Sequence, residues 1–221
     1  PFIVLILLSG VAALVYQVLW MRQLGLVFGN TSHAAAMTLG VFFLGLSLGS
    51  GFWGGLSPRL RHPLRSFAWL ELGVGLFGVL CLPLLHLYRQ LYPWLYAETG
   101  SAGFWLAKAL LAAVMILPAS FLMGGTIPLM GKCLIRQRTR FGSTTAAIYG
   151  VNTLGAASGA FAAAFLLLPY LGFRMSCLSA VSLSAAVGVS ALLLARRQAD
   201  QDEAIPELAE EDSGATGPSV P

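Results

Sequence analysis

From Gly45 to Arg65 the chain reads GLSLGSGFWGGLSPRLRHPLR, and this stretch limits the possible folds more than any other. Its first half is apolar and rich in small residues. Gly45 and Gly49 stand four apart, and so do Gly51 and Gly55. On a helix such pairs leave bare patches one turn apart, where a second helix can come close. Pro58 then ends the helix, and Arg59, Arg61 and Arg65 follow with no acid among them. A small-faced apolar helix running into a short basic loop has the pattern of a membrane span meeting the cytoplasm.

Composition carries the same message along the whole chain. Hydrophobic residues make up 57% of the 221 residues and charged residues 10%, against about 25% charged in soluble domains. The charges are also segregated. Up to Gln198 there are thirteen Lys or Arg and only two acids, Glu71 and Glu98, whereas seven acids and no base follow from Ala199. The bases lie between apolar runs and not on an aromatic-flanked polar face, so they read as topology determinants and exclude a nucleic-acid partner. Cys81, Cys133 and Cys177 have neither metal-ligand nor redox spacing. No cofactor is implied.

The expected fold is therefore all-α, a polytopic membrane protein with six transmembrane helices in residues 1–198 and a disordered acidic tail or linker in 199–221. The apolar runs place the spans at about 2–20, 33–56, 66–88, 104–130, 144–168 and 174–195. An aromatic stretch with Tyr88, Tyr92, Trp94 and Tyr96 reads as an interfacial segment between the third and fourth. Pro118, Pro128 and Gly124-Gly125 break the regularity of the fourth. Gly155, Gly159 and Ala163 give the fifth a second close-packing face. The second and fifth spans are thus expected to make the closest helix contacts. The loops at Arg59 and Lys132 and the pair Arg196-Arg197 fall on one side, which the distribution of bases makes cytoplasmic, with both termini. The location implied is the cell's inner (plasma) membrane, with the lipid bilayer as the first partner.

Polar side chains inside apolar runs are the candidate binding residues. Tyr16, Gln17 and Arg22 gather at one end of the first span, and Lys108 lies toward the same side. Glu71, Tyr149 and Asn152 lie toward the basic side. A carboxylate inside a membrane is costly unless paired. Glu71 therefore either pairs with Arg59, Arg61 or Arg65, or handles protons or cations. Gly45-Leu46-Ser47-Leu48-Gly49 matches a hydrolase nucleophile elbow in letters alone. That elbow needs a strand before it and His and Asp partners, which this run lacks. No catalytic residue and no metal ligand set is expected.

The segments SGVAALVYQVLWMRQLGLVFG, GLSLGSGFWGGLSPRLRHPLR, LELGVGLFG, PASFLMGGTIPLM and AAIYGVNTLGA with LLLPYLGF resemble the membrane region of spermidine synthase-like proteins. In those bacterial proteins a multi-span region precedes an aminopropyltransferase-like domain. The resemblance implies a membrane module that anchors or serves such a cytoplasmic domain. The Gly-rich turn and acidic substrate residues of that domain have no counterpart in this chain, so no catalytic residue carries over. The basic loop is also similar to that of major facilitator transporters. The alternative is a small-solute transporter or transporter half, for a cationic amine, acting as a homo-oligomer of two copies with Glu71 as counter-charge.

Overall fold

The computed structural model describes residues 1–29, 32–98, 100–134 and 141–214, without the side chains of 89, 92–102, 104, 141 and 200–214. Among these residues every regular element is a helix: α1 (Phe2–Phe28), α2 (Ser32–Leu56), α3 (Pro63–Glu98), α4 (Gly100–Gly124), α5 (Thr126–Leu134), α6 (Phe141–Ala162) and α7 (Leu168–Gly214). A 3-10 turn, Ser57–Arg59, follows α2, and a π-helical turn, Ala163–Leu167, joins α6 to α7. Helices satisfy their own backbone groups, which a long apolar run in lipid requires.

The helix ends follow from local chemistry. Gly29 leaves α1 with φ 88°, a conformation that favours glycine. After α2, Pro58 sits in the 3-10 turn and Leu60 is extended. Pro63 opens α3, where its missing N–H costs nothing. Gly124-Gly125 separates α4 from α5, as the sequence leads one to expect, and the Gly125 N–H donates to Leu122 O at 3.0 Å.

Helices pack mainly in pairs: α1 on α6, α2 on α4 and α3 on α7. A Cβ on Gly49 would overlap the Phe121 carbonyl, and one on Gly45 would overlap Ser120, so α2 lies backbone-close to α4. Likewise Gly155 and Gly159 seat α6 on the Leu7 and Val11 carbonyls of α1. The second and fifth small-residue faces are both used, but against α4 and α1 and not each other. Gly51 and Gly55 meet nothing within 4 Å. Helical phase separates them from the Gly45–Gly49 patch.

Two apolar clusters fill the bundle. One surrounds Tyr16, Trp20, Phe42, Ile116 and Cys177, and the other surrounds Phe67, Leu129, Met130, Ile148 and Val187. The outer surface is also apolar, with Ile3, Phe43, Trp69, Leu110, Leu154, Phe165 and Leu193 all exposed. Five stretches are long and apolar enough to cross a membrane: Phe2–Phe28, Ser32–Arg59, Pro63–Tyr88, Trp105–Leu134 and Gly142–Ala199.

The last stretch has 58 residues, roughly 90 Å of helix against about 30 Å of hydrocarbon. It is broken at Gly172, with φ 70° and ψ 177°. Ile148 packs with Ile6 and Met130, Arg174 shares a cavity with Gln23 and His86, and Ala199 shares one with Phe2 and Arg61. The chain therefore runs from the end of the bundle that carries Arg61, the basic end, to the far end and back.

Two expectations meet a different backbone. Helix α3 continues through the aromatic stretch to Glu98, where a separate interfacial segment is expected; Tyr88 is buried in the core, and the side chains of Tyr92, Trp94 and Tyr96 lie outside the described residues. Helix α7 continues to Gly214, beyond the expected start of an unstructured tail at Ala199. Four Glu and three Ala in this part are strong helix formers and favour the continuation, although Pro206 lies within it. Residues 135–140 of the basic loop and 215–221 of the tail lie outside the described residues.

Candidate functional site: a buried polar column

Ser9, Tyr16 and Gln23 stand seven apart on α1 and are all buried. A seven-residue interval returns a helix to nearly the same face. Glu71, Gly78 and Leu85 stand at the same interval on α3, which runs parallel to α1 from the basic end. Side chains of α1 meet α3 at the first two levels, and at the third both series line one cavity.

Glu71 occupies the level nearest the basic end and is 2% exposed. The Ser9 hydroxyl donates to its Oε1 at 2.5 Å. Arg59, Arg61 and Arg65 are exposed, and no ion pair to Glu71 forms among the described residues. The expected Arg partner is thus replaced by a serine from α1. The reason is helical phase: Glu71 points into the bundle with Phe67 and Val74, while the arginines stay outside with the loop.

Asn152 of α6 reaches the same level. A Cβ on Gly10 would lie 3.1 Å from its Oδ1. Asn152, Ser9 and Thr126 line a narrow gap that admits no water-sized sphere. The Thr126 hydroxyl donates to Met123 O at 2.8 Å, across the α4–α5 break. Segments of α1, α3, α5 and α6 therefore line this narrow gap, and Ser9 links it to Glu71.

Tyr16 fills the middle level and is 0% exposed. Its ring stacks on Trp20, with centroids 5.5 Å apart, and lies against the bare Cα of Gly78. Its hydroxyl faces Ser184 of α7, but neither oxygen reaches good hydrogen-bond geometry. Beside it the Cys177 thiol donates to Gly78 O at 3.4 Å. At the far end Gln23, His86 and Arg174 line a cavity of about 800 Å³.

The remaining expected residues lie elsewhere. Gln17 is buried, and its Nε2 lies 3.9 Å from Met21 Sδ on its own helix. Arg22 is exposed at the mouth of a cavity of about 330 Å³ beside Ala34 and Ala164. Tyr149 is 64% exposed and faces outward, away from Glu71. The structure thus joins Glu71 to Ser9, places Asn152 beside the same turn of α1 and Tyr16 two turns further along it, and leaves out Gln17, Arg22 and Tyr149. Ser9, Ser184 and Thr126 escape a search for charged and aromatic residues. For Ser9 the seven-residue interval to Tyr16 and Gln23 is the available signal.

Two lysines brace the bundle. Lys108 is buried at the far end, donates to Phe28 O at 3.3 Å and lies 5.1 Å from the Trp105 ring centroid. It places a cation on the carbonyl end of α1, where the helix dipole favours one. Lys132 donates to Ser57 O, Pro58 O and Leu60 O at 2.6, 3.0 and 2.6 Å. It pins the α2–α3 loop to α5.

The column can fix helix register, as buried polar contacts do where a misaligned alternative would strand them. Ser47 lies exposed within α2, in no nucleophile–base arrangement. Among the described residues no three His, Cys, Asp or Glu gather to hold a metal.

Comparison with known proteins gives one distant relative of note. Polyamine aminopropyltransferase 2 of Streptomyces coelicolor is 27% identical over 191 residues, covering 85% of this chain. The chain spans about a third (33%) of that relative's length. No family model matches, and no solved structure matches. The likeness to half of a major facilitator transporter finds no support in these comparisons.

Proposed function

We propose that this chain is the membrane module of a polyamine aminopropyltransferase-like protein, anchoring or serving a cytoplasmic aminopropyltransferase-like domain. The observation that carries the reading is the coverage: 85% of an apolar helical chain matches one third of a protein named for aminopropyl transfer. The stretch Gly142–Ala199 is read as two crossings that turn at Gly172, giving six in all, with both ends cytoplasmic. Glu71, Asn152 and Tyr16 act in this reading as a lock that holds the module in one register. The Ser9 hydroxyl bound to the buried Glu71 carboxyl supports the lock.

The test is a chimaera in which this chain replaces the matched third of the Streptomyces relative. It should sediment with membranes and still make polyamine product. A chimaera that stays in the soluble fraction would overturn the anchoring role. Reporter fusions after Arg140 and Arg197 should read cytoplasmic and one after Gly100 external. An external reading after Arg197 would remove the sixth crossing.

A further inference from the structure

At the basic end a cleft of about 500 Å³ opens between the start of α1, the start of α3, the end of α5 and the part of α7 near Ala199. Arg61, His62, Arg65 and Lys132 line it together with Phe2 and Gln198, and no acid does among the described residues. Lys132 has all three protons committed to loop carbonyls, so it acts as a fixed positive charge on the wall. Arg61 and Arg65 are exposed and make no hydrogen bond or ion pair among the described residues. Their forked guanidinium groups suit the oxygens of a phosphate.

The backbone adds to this field. The first hydrogen bond of α3 runs from Ser66 N–H to His62 O. The N–H groups of Leu64 and Arg65 precede it and lie at the positive end of a 36-residue helix. The surface beside the cleft is apolar. Trp69 stands one turn beyond Arg65 and is exposed, and Ile3 beside Phe2 is exposed as well. A cation pocket at the end of a membrane helix, bordered by an exposed Trp and Ile, fits a ligand with a phosphate head and acyl chains.

We infer that this cleft binds a phosphate-bearing anion, and that in the membrane it is filled by the headgroup of an anionic phospholipid. The inference goes beyond the anchoring role, since a module could anchor a domain without preferring any lipid. Arg61 and Arg65 would grip the phosphate, and Lys132 would hold the loop that presents Arg61.

The test uses the full chain in detergent, with native mass spectrometry and thermal melting. The added probes are phosphatidylglycerol, phosphatidylcholine and inorganic phosphate. The expected result is one phosphatidylglycerol retained at least threefold better than phosphatidylcholine, with a higher melting temperature. Arg61→Gln with Arg65→Gln should abolish the preference. Arg196→Gln with Arg197→Gln, an exposed pair that does not line the cleft, should leave it intact. If inorganic phosphate reproduces the whole thermal shift and the cleft variant removes it, the anion site stands and the lipid source falls. If the cleft variant keeps the preference, or wild type shows none, the inference is overturned. It is also overturned if preference appears only after Asp200→Asn, Asp202→Asn and Glu203→Gln, since the cleft would then belong to the chain's own carboxylates.

Discussion

The α1–α6 seam and the α1–α3–α7 junction are built in opposite ways. At the seam, Gly155 and Gly159 rest on carbonyls of α1 with no side chain between. At the junction, Glu71, Tyr16 and Ser184 extend between helices and carry the contact themselves. In lipid, where helices gain no hydrophobic drive against one another, the first kind holds by shape and the second by polar partnership. The seam should tolerate almost no added volume. The junction should tolerate shape-preserving changes and respond to lost partners.

The largest effect belongs to the seam. Gly159→Leu should force α6 off the Val11 carbonyl and cost about 3 kcal/mol or more. Gly49→Leu should do the same against Phe121. Gly51→Leu and Gly55→Leu, in open space, should leave stability within about 0.5 kcal/mol. Folded yield and melting temperature in detergent check both groups. Equal losses in all four variants would mean that close approach is not what the glycines supply.

Next comes Lys132. Replacing it by Met keeps the stem and leaves three carbonyls of the α2–α3 loop without their donor. The expected cost is about 1–3 kcal/mol, with faster proteolysis between Ser57 and His62. Unchanged melting and unchanged cleavage would show that the loop holds itself.

The junction itself is probed by a cycle on Ser9 and Glu71. Ser9→Ala removes the donor and leaves a buried carboxyl without it, for about 1–3 kcal/mol. Glu71→Leu with Ser9→Ala should recover much of that loss, because an apolar pair strands nothing. A coupling of about 0.5 kcal/mol or more is expected from melting or denaturant curves. Strict additivity would remove the Ser9–Glu71 contact from the account. If Glu71→Gln folds normally yet abolishes amine uptake into vesicles, the carboxyl group serves transport and not register.

These two regions also differ in what the sequence discloses. The glycine seams are written in short intervals, Gly45–Gly49 and Gly155–Gly159, so their faces are legible in the order of residues alone. Which helix each face meets is not legible, because pairing across spans depends on the whole bundle. The break at Gly124-Gly125 is local and readable for the same reason. Glu71 can be singled out by its cost in lipid, but not its partner: a serine 62 positions away carries no charge to betray it. The three nearby arginines offer a misleading alternative that only helical phase excludes. Tyr149 misleads too, since a tyrosine on an outward face and one in the core look alike in a string of apolar letters.

The smallest effect is the most diagnostic for the middle of the column. The Tyr16 hydroxyl is fully buried and faces Ser184, and neither oxygen attains good hydrogen-bond geometry. A hydroxyl taken out of water without a well-made bond contributes a cost and not a gain. The ring is a different matter. It stacks on Trp20 and fills the space that Gly78 leaves open. Tyr16→Phe keeps the ring and removes the poorly bonded oxygen, so stability should stay level or rise by about 0.5–1 kcal/mol. Tyr16→Ala should instead lose about 3–5 kcal/mol, as large aromatic truncations in cores do. Ser184→Ala should resemble Tyr16→Phe, and the double change should add little, since each removes half of the same poor contact. A clear loss in Tyr16→Phe would show that the hydroxyl is satisfied and that the column is polar at all three levels. A neutral result places the register-setting polarity at the Glu71 level, with Tyr16 acting there by shape, as the glycines do at the seam.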